Sequence, residues 1–552
     1  MNKQTIQKSL NTVSAVLEKI TDPEVRAAFE LLFNLVETLV EENETLRETN
    51  QKLNDEINHL KGEQGKPKIR PQTTDNHSSD ADRKKRTKKK PNNKRPKKKD
   101  TIKADRKVIC PIDLSNLPGD AVRKGYKSIV IQDIVITTDN IEFQREVYYS
   151  PSLKKTFMAD LPKGYYGEFG PNLRALIISL YHDSNMTEPS IGRFLNTFKI
   201  SISPASISRI LTDNHEVFHQ EKKDIFSAGL EMPYQHTDDT SARVNGKNHY
   251  VHIFSSPFHT AYFTAPKKDR LTIVKILCRG ELKFLFNSKS YQLMSDMGLS
   301  GKRAKQLSEL NVEGEMTQTE IDALLLTMFP NLKKHKSNRR YILEATALTY
   351  YHSLPHALKH LICDDAPQFN FIAMHKSLCW IHEGRHYKKL QPIVQLNKQR
   401  LNDFQDEFWD FYQALLDYTH QPTSETSIQL EKNFDELFSR KTGYQKLDAR
   451  IALTFAKKDN LLLPLSFPFL PLHNNDAEGG AQHQARLRDI HLQTKNEKGT
   501  NAKDTFATLI KTARKLKVNV FEYVKDRISE IFLMPSLADL ILKKCDSSEN
   551  TS

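Results

Sequence analysis

Near the start of the chain a leucine recurs every seventh position, at Leu32, Leu39, Leu46, Leu53 and Leu60, and Val36, Asn43, Asn50 and Ile57 fall between them at the facing heptad position. Four intervals in register predict a coiled-coil helix over residues 1–62. The two asparagines are the polar interruptions that fix register and a low oligomer state, so self-association follows. An amphipathic helix packed on its own chain gives the same stripe. Residues 63–105 contain almost no apolar positions and read as a disordered linker. Residues 106–165 alternate in strand fashion (SIVIQDIVITTD, EFQREVYYS) and predict a small β-rich module. Past Gly170 the period turns helical: NLRALIISLYH, EPSIGRFLNTF and PASISRIL give three short helices within 166–222, the last two joined by a tight KISIS turn. That suits a helix-turn-helix with Ser206 and Arg209 on the reading helix. Three short helices are equally a common structural unit.

From Met232 the pattern becomes strand-rich. PYQHTDDTSARVNG, HYVHIF and TAYFTAP read as three antiparallel strands, and HLICDDAPQF as a later one. Helical spacing returns after Asp476 in LPLHNNDAEGGAQHQARLRD. The fold class is α/β multidomain. A core over 223–480 carries helical insertions at about 281–340 and 385–460, and a C-terminal helical segment covers 481–545.

Composition adds the partner. The 552 residues carry a formal charge of +14, but RKKRTKKKPNNKRPKKK, from Arg83 to Lys99, holds twelve of those cations and no acid, leaving only +2 for the rest. Twelve cations can displace condensed counterions from DNA, which makes Arg83, Lys84, Lys85 and Arg86 candidate DNA contacts; a solvated spacer is the plainer alternative. The run follows the heptads and contains Pro91 and Pro96, which excludes a basic-zipper arrangement. The longest apolar run, LLLPLSFPFLPL, is broken by prolines and too short to span a bilayer, and MNKQTIQKSLNTV lacks a signal-peptide core. With five cysteines and a mean hydropathy of −0.59, a soluble cytoplasmic protein with reduced thiols and no membrane partner is expected.

Three acids stand at the ends of this pattern: Asp238 late in the first strand, Asp364 after the later strand, and Glu478 at a helix start. Asp239 and Asp365 adjoin the first two. Hard carboxylate oxygens suit Mg²⁺ and leave positions for water and phosphate, and a pair of such ions serves phosphoryl transfer. Isolated acids are more often solvated surface charges; the placement at strand ends raises these above that level.

The words HTDDTSARVNGK, LICDDAPQF, CWIHEGRHYKKL and PLHNNDAEGGAQ, in that order, resemble the transposase of the insertion-sequence family numbered sixty-six, a DDE transposase. The resemblance extends to the heptads and to GPNLRALI. It implies an RNase H-like core in which Asp238, Asp364 and Glu478 bind Mg²⁺ or Mn²⁺, with Asp365 as the alternate second acid. It also implies DNA as partner, both element ends and target, bound in a nucleoid-associated setting, and it makes small accessory proteins plausible. Departures are Asp239 where the family has Glu, Gly479 where it commonly has Arg, a long 281–340 insertion, and a lone Cys110 where it often carries a cysteine cluster. One cysteine without a nearby histidine cannot build a zinc site, so no zinc is expected. Cys379, His382 and His386 share a helical face and could suggest a soft metal site, or Cys379 and Trp380 could pack in the core. Arg385, Lys388 and Lys389 are candidate DNA contacts or a solvated face. Lys511, Arg514 and Lys515 stand in the same position. The function expected is metal-dependent cleavage and joining of DNA ends, with a catalytically inactive, domesticated DNA-binding descendant as the alternative.

Overall fold

The computed structural model describes residues 10, 12–13, 22–60, 103–113, 117–118, 120–310, 312–331 and 333–549. Most of the 63–105 linker, with Arg83, Lys84, Lys85 and Arg86, lies outside the described residues. Two units are distinguished, residues 68–143 with 194–201, and the remainder. No described helix is long and apolar enough to cross a membrane.

The heptad segment is a single helix, α1 (Pro23–Leu60). It binds its own chain through a face other than the leucine stripe. Phe33 is 2% exposed and packs with Phe29 against Val394 and Leu396. The Glu37 carboxylate accepts the backbone N–H groups of Ile393 and Val394, both at 2.9 Å, and the Asn34 amide donates to the Gly443 carbonyl at 3.1 Å. Leu32, Leu39, Leu46 and Leu53 stay exposed, each about half.

The alternating segment 106–165 forms one hairpin, β1 (Val147–Ser150) with β2 (Lys155–Met158). Residues 128–139 pair with nothing among the described residues, and Ile129, Ile131, Ile134 and Val135 are each more than three-quarters exposed. Both alternate sets there are apolar, so neither face is marked as inward, and the expected β-rich module shrinks to that hairpin.

Helices stand where the 166–222 spacing predicts them: α2 (Pro171–Ile178), extended by a π-helical turn over Ser179–Asp183, α3 (Glu188–Thr197) and α4 (Pro204–Thr212). Ser203 caps α4 by accepting the Ser206 N–H at 3.1 Å, and Pro204 fits the first turn because no partner is needed for its missing N–H. The next helix, α5 (Glu216–Leu230), runs across the boundary expected at residue 222.

A five-stranded sheet follows. Its first three strands, β3 (Gln235–Val244), β4 (Lys247–Ser255) and β5 (Thr260–Ala265), are an antiparallel meander. Asn245 and Gly246 both have positive φ, the turn chemistry that joins β3 to β4 with matching twist. After α6 (Arg270–Leu277) comes the first insertion: β6 (Phe284–Phe286), α7 (Ser288–Asp296), α8 (Gly301–Ser308), β7 (Gly314–Met316), α9 (Gln318–Met328) and α10 (Lys336–Ser353). The insertion is mixed rather than purely helical, since β6 and β7 pair antiparallel. It is also no separate body: Phe286, Leu307, Leu325 and Leu348 share one core with Phe226 of α5 and Phe254 of β4. Two parallel strands, β8 (His360–Cys363) and β9 (His375–Leu378), complete the sheet in the order β5-β4-β3-β8-β9.

The chain then forms α11 (Trp380–Lys388), the second insertion α12 (Gln395–His420), α13 (Ser424–Ser439) and α14 (Gln445–Phe455), two one-turn helices, and α17 after them; taking the one-turn helices Lys458–Leu461 and Leu463–Ser466 as α15 and α16, α17 is Asn475–His491. The last helices are α18 (Glu497–Lys515), α19 (Val520–Ile528) and α20 (Leu537–Glu549). A boundary at 480 therefore falls inside α17. Gly384 lets α11 and α12 approach closely, because an added Cβ would lie 2.8 Å from the Trp409 ring.

Strand pleat assigns the two faces of the sheet. Val251, Ile253 and Tyr262 face Ala477 of α17 and Ala507 of α18, while Phe254 and Ala261 face α5 and α6. Gly480 brings α17 down onto the first face, where an added Cβ would meet Ile253 and Tyr262 at 3.1 and 3.2 Å. The exposed edge of β5 is answered by α18: Thr512, Thr508 and Asp504 accept the N–H groups of Thr260, Tyr262 and Thr264 at 3.2, 3.1 and 2.6 Å. Every fourth residue of a helix advances about 6 Å and every second residue of a strand about 6.6 Å, so the two repeats run in step. Asp504 also faces the buried Lys222 ammonium at 4.0 Å.

Replacing Thr508→Val keeps the shape and strands the Tyr262 N–H, and is expected to cost about 1–3 kcal/mol. Urea unfolding measures the loss, and amide exchange should accelerate at Tyr262 more than at Ile253.

Candidate active site

Strand register, read upward from β3, decides which acids meet. Asp238 pairs with Ile253 and Asp239 with His252, so the pleat sends Asp238 to the face covered by α17 and Asp239 to the other. Asp239 accepts from the Gln368 amide at 2.8 Å and meets Lys268 at 3.4 Å. The parallel pairing of β3 with β8 sets His236 beside Ile362, and two residues further in the same register bring Asp364 level with Asp238. Asp364 is half-buried, and its carboxylate accepts the Ala366 N–H at 3.1 Å. Its neighbour Asp365 turns outward to Lys457 at 2.7 Å and Lys376 at 3.7 Å. That engagement separates it from the other acids.

Glu478 lies in the first turn of α17, where a carboxylate is favoured by the helix dipole. Asn474 fixes this turn. Its side chain donates to the Thr237 carbonyl at 2.8 Å and meets the His236 ring at 3.0 Å, and its N–H reaches the Cys379 sulfur at 3.3 Å. The sequence offers a weak signal for it, an Asn-Asn pair just before a helix start.

The electrostatics tie the three acids together. Burial, followed by the nearby Asp364, Asp239 and Glu478 carboxylates, pushes the Asp238 carboxyl up to about 7 against the stabilising Asp239 N–H. Burial also raises Asp364. Burial acts upward on Glu478 too, but hydrogen bonds and charge from His382 and Arg385 overcome it and hold the carboxyl down to about 2. Arg385 lies 2.7 Å and His382 3.8 Å from Glu478.

Among the described residues, no group of three His, Cys, Asp or Glu side chains stands close enough to form a ready cation cage. The donor set still suits a hard divalent ion: all three are carboxylates, and Asp238 sits among like charges that a cation would relieve. Glu478 would have to leave Arg385 to join them.

Other expected residues are placed as follows. Ser206 and Arg209 share a face of α4, with Arg209 donating to the Ser206 hydroxyl at 3.3 Å. Lys388 and Lys389 are exposed at the end of α11. Cys379 is buried in the core with Trp380, and burial pushes its thiol up to about 12. His386 is depressed to about 4 by burial and then by Arg450. Cys379 and His382 both meet Glu478 Oε1, at 3.9 and 3.8 Å, whereas His386 stands by Arg450. Lys515 turns inward, donating to the Ser255 hydroxyl at 2.8 Å and to the Ser256 and His259 carbonyls at 2.5 and 3.0 Å.

No family model matches the chain. It is similar to an uncharacterized protein, y4jO, of Sinorhizobium fredii, with 27% identity over 310 residues, which are 54% of this chain and 94% of that protein.

The Arg385–Glu478 pair carries a pH signature. A carboxyl depressed in the folded chain contributes stability that is full above its ordinary value of 4.5 and is lost as pH falls towards about 2. The gap in urea midpoint between wild type and Arg385→Ala should be constant near neutral pH and shrink below pH 4.5.

Proposed function

We propose that the chain is a DDE-type transposase with an RNase H-like core, which cleaves DNA at terminal inverted repeats and joins the freed 3′-OH to target DNA. The observation that carries this reading is the sheet order β5-β4-β3-β8-β9 with an acid on β3, an acid after β8 and an acid in the first turn of α17. Three of the four ordered sequence words that resemble the family fall on those elements, and the fourth, CWIHEGRHYKKL, falls on α11, whose Arg385 and His382 meet Glu478. Asp238, Asp364 and Glu478 would hold Mg²⁺ or Mn²⁺. Such ions supply an activated attacking oxygen and a stabilised leaving oxygen. In cleavage a water oxygen forms the new bond to phosphorus as the 3′ oxygen departs and takes up a proton; in joining, that 3′-OH is the attacker and the target 3′ oxygen leaves. Arg385, on leaving Glu478, would contact phosphate.

The rest of the chain fits the same activity. Ser206 and Arg209 on α4 would contact the repeats, and Arg83 to Arg86 the backbone at large, with Lys388 and Lys389 beside the site. The exposed leucine stripe of α1, opposite the face that Glu37 anchors, would pair two copies. A cytoplasmic, nucleoid-associated protein assisted by small accessory proteins is the setting this implies.

A second reading, a catalytically inactive DNA-binding descendant, is favoured by one specific observation: Glu478 is already satisfied by Arg385 at 2.7 Å. Strand transfer with terminal-repeat DNA and Mg²⁺ separates the two. Losing one carboxylate should remove several kcal/mol of transition-state stabilisation, about 10³-fold in rate, for Asp238→Asn, Asp364→Asn and Glu478→Gln. Asp239→Asn and Asp365→Asn should stay within about tenfold, since both acids pair elsewhere. Wild-type rates in the first three variants would sink the assignment. Separately, Leu39→Lys with Leu46→Lys should convert dimer to monomer in sedimentation while leaving the α1 anchor at Glu37 intact.

A further inference from the structure

We propose that α17 and α18 together form a phosphate track, through which the DNA backbone adjoining the reacting phosphate runs away from the carboxylates; the inference rests on the DNA reading above. On α17, Gly479, His483 and Arg486 follow one another at helical spacing along one face, starting beside Glu478. Nothing lies within 4 Å of a Cβ added at Gly479, so the backbone at the start of this face is open to close approach. From Gly479 to Arg486 the helix advances about 10 Å, a length over which duplex DNA presents several phosphates at one per about 1.7 Å.

On α18, which shares a core cluster with α17 through Ala507 and Ala477, Lys503, Lys511 and Arg514 recur at spacings of eight and three residues, on one side of the helix. The His483 imidazole is held down to about 3 by burial, and then by Lys511, Arg514, Lys503 and Arg486, which puts one residue of α17 within the field of all four cations. Lys511 is lowered to about 8 by burial first and by Arg514 next. Among the described residues, Asp183 is the carboxylate that meets the group in an ion pair, 2.6 Å from Arg514. Asp504, adjacent to Lys503, faces inward to Thr264 and Lys222, and its charge also acts on Lys503. Lys515, the remaining cation of this stretch, is spent on the Ser255–His259 turn and is no part of the track. Gathering like charges costs a folded chain stability, and a polyanion that exchanges its counterions for them reverses that cost.

The test uses the full chain with a duplex oligonucleotide of arbitrary sequence. Acetylation by an N-hydroxysuccinimide ester is followed residue by residue in mass spectra, with and without DNA. Lys503 and Lys511 should be protected several-fold, and the exposed Lys302 of α8 should react unchanged. In parallel, Arg486→Gln combined with Lys511→Gln should lower the slope of log affinity against log salt by about 2, near 0.9 per phosphate contact, and Lys511→Arg in place of Lys511→Gln should recover half of that. If wild type binds DNA with a steep salt slope while either readout is unmoved, the track is wrong and the DNA reading stands. If wild type shows no salt-dependent binding at all, both fall.

Discussion

The candidate site depends on one buried amide. Three carboxylates repel one another, and burial raises that repulsion, so the acids cannot hold their own positions. Asn474 holds them instead. It binds the β3 backbone at Thr237, one residue before Asp238, and through its N–H the sulfur of Cys379. The Cys379 N–H in turn donates to the Cys363 carbonyl, one residue before Asp364, at 3.1 Å. The start of α17, and with it Glu478, is thereby locked to the two strand ends. A neutral amide does this without adding charge to a site that has too much of one sign.

Periodicity made much of this legible. The heptads of α1, the three helices between Pro171 and Thr212, and the strand ending at Asp364 all follow from spacing and turn residues, whereas Asp238, expected late in its strand, stands fourth in β3, which runs on to Val244. What spacing does not settle is the choice within each acidic pair. Asp238 and Asp239 differ only in which way the pleat sends them, and that is fixed by the pairing with β4. Asp365 is removed by Lys457, which lies more than ninety residues later in sequence. Lys515 reads as a surface cation on α18 until the Ser255–His259 turn, far away in sequence, claims it. The alternation at 128–139 misled for the opposite reason: it has the local signal of a strand and no partner to complete one among the described residues.

Helix α1 illustrates how one element serves two masters. Its Phe33–Glu37 face meets the start of α12, and the Glu37 carboxylate accepts the two backbone N–H groups that immediately precede that helix. Because this docking uses positions outside the leucine stripe, the stripe is left whole. An anchor that consumed Leu39 or Val36 would have traded one contact for the other.

The ladder between α18 and β5 has a consequence for how the molecule meets others. Edge strands invite foreign strands, because their unpaired N–H and C=O groups accept any extended peptide. On β5 the N–H groups are answered by Thr512, Thr508 and Asp504, and on β9 Asn460 donates to the Lys376 carbonyl at 2.9 Å. The β5 margin is thus no template for strand addition, and on β9 the Lys376 carbonyl is already taken. What the β5 margin offers to other molecules is therefore side chains rather than open backbone.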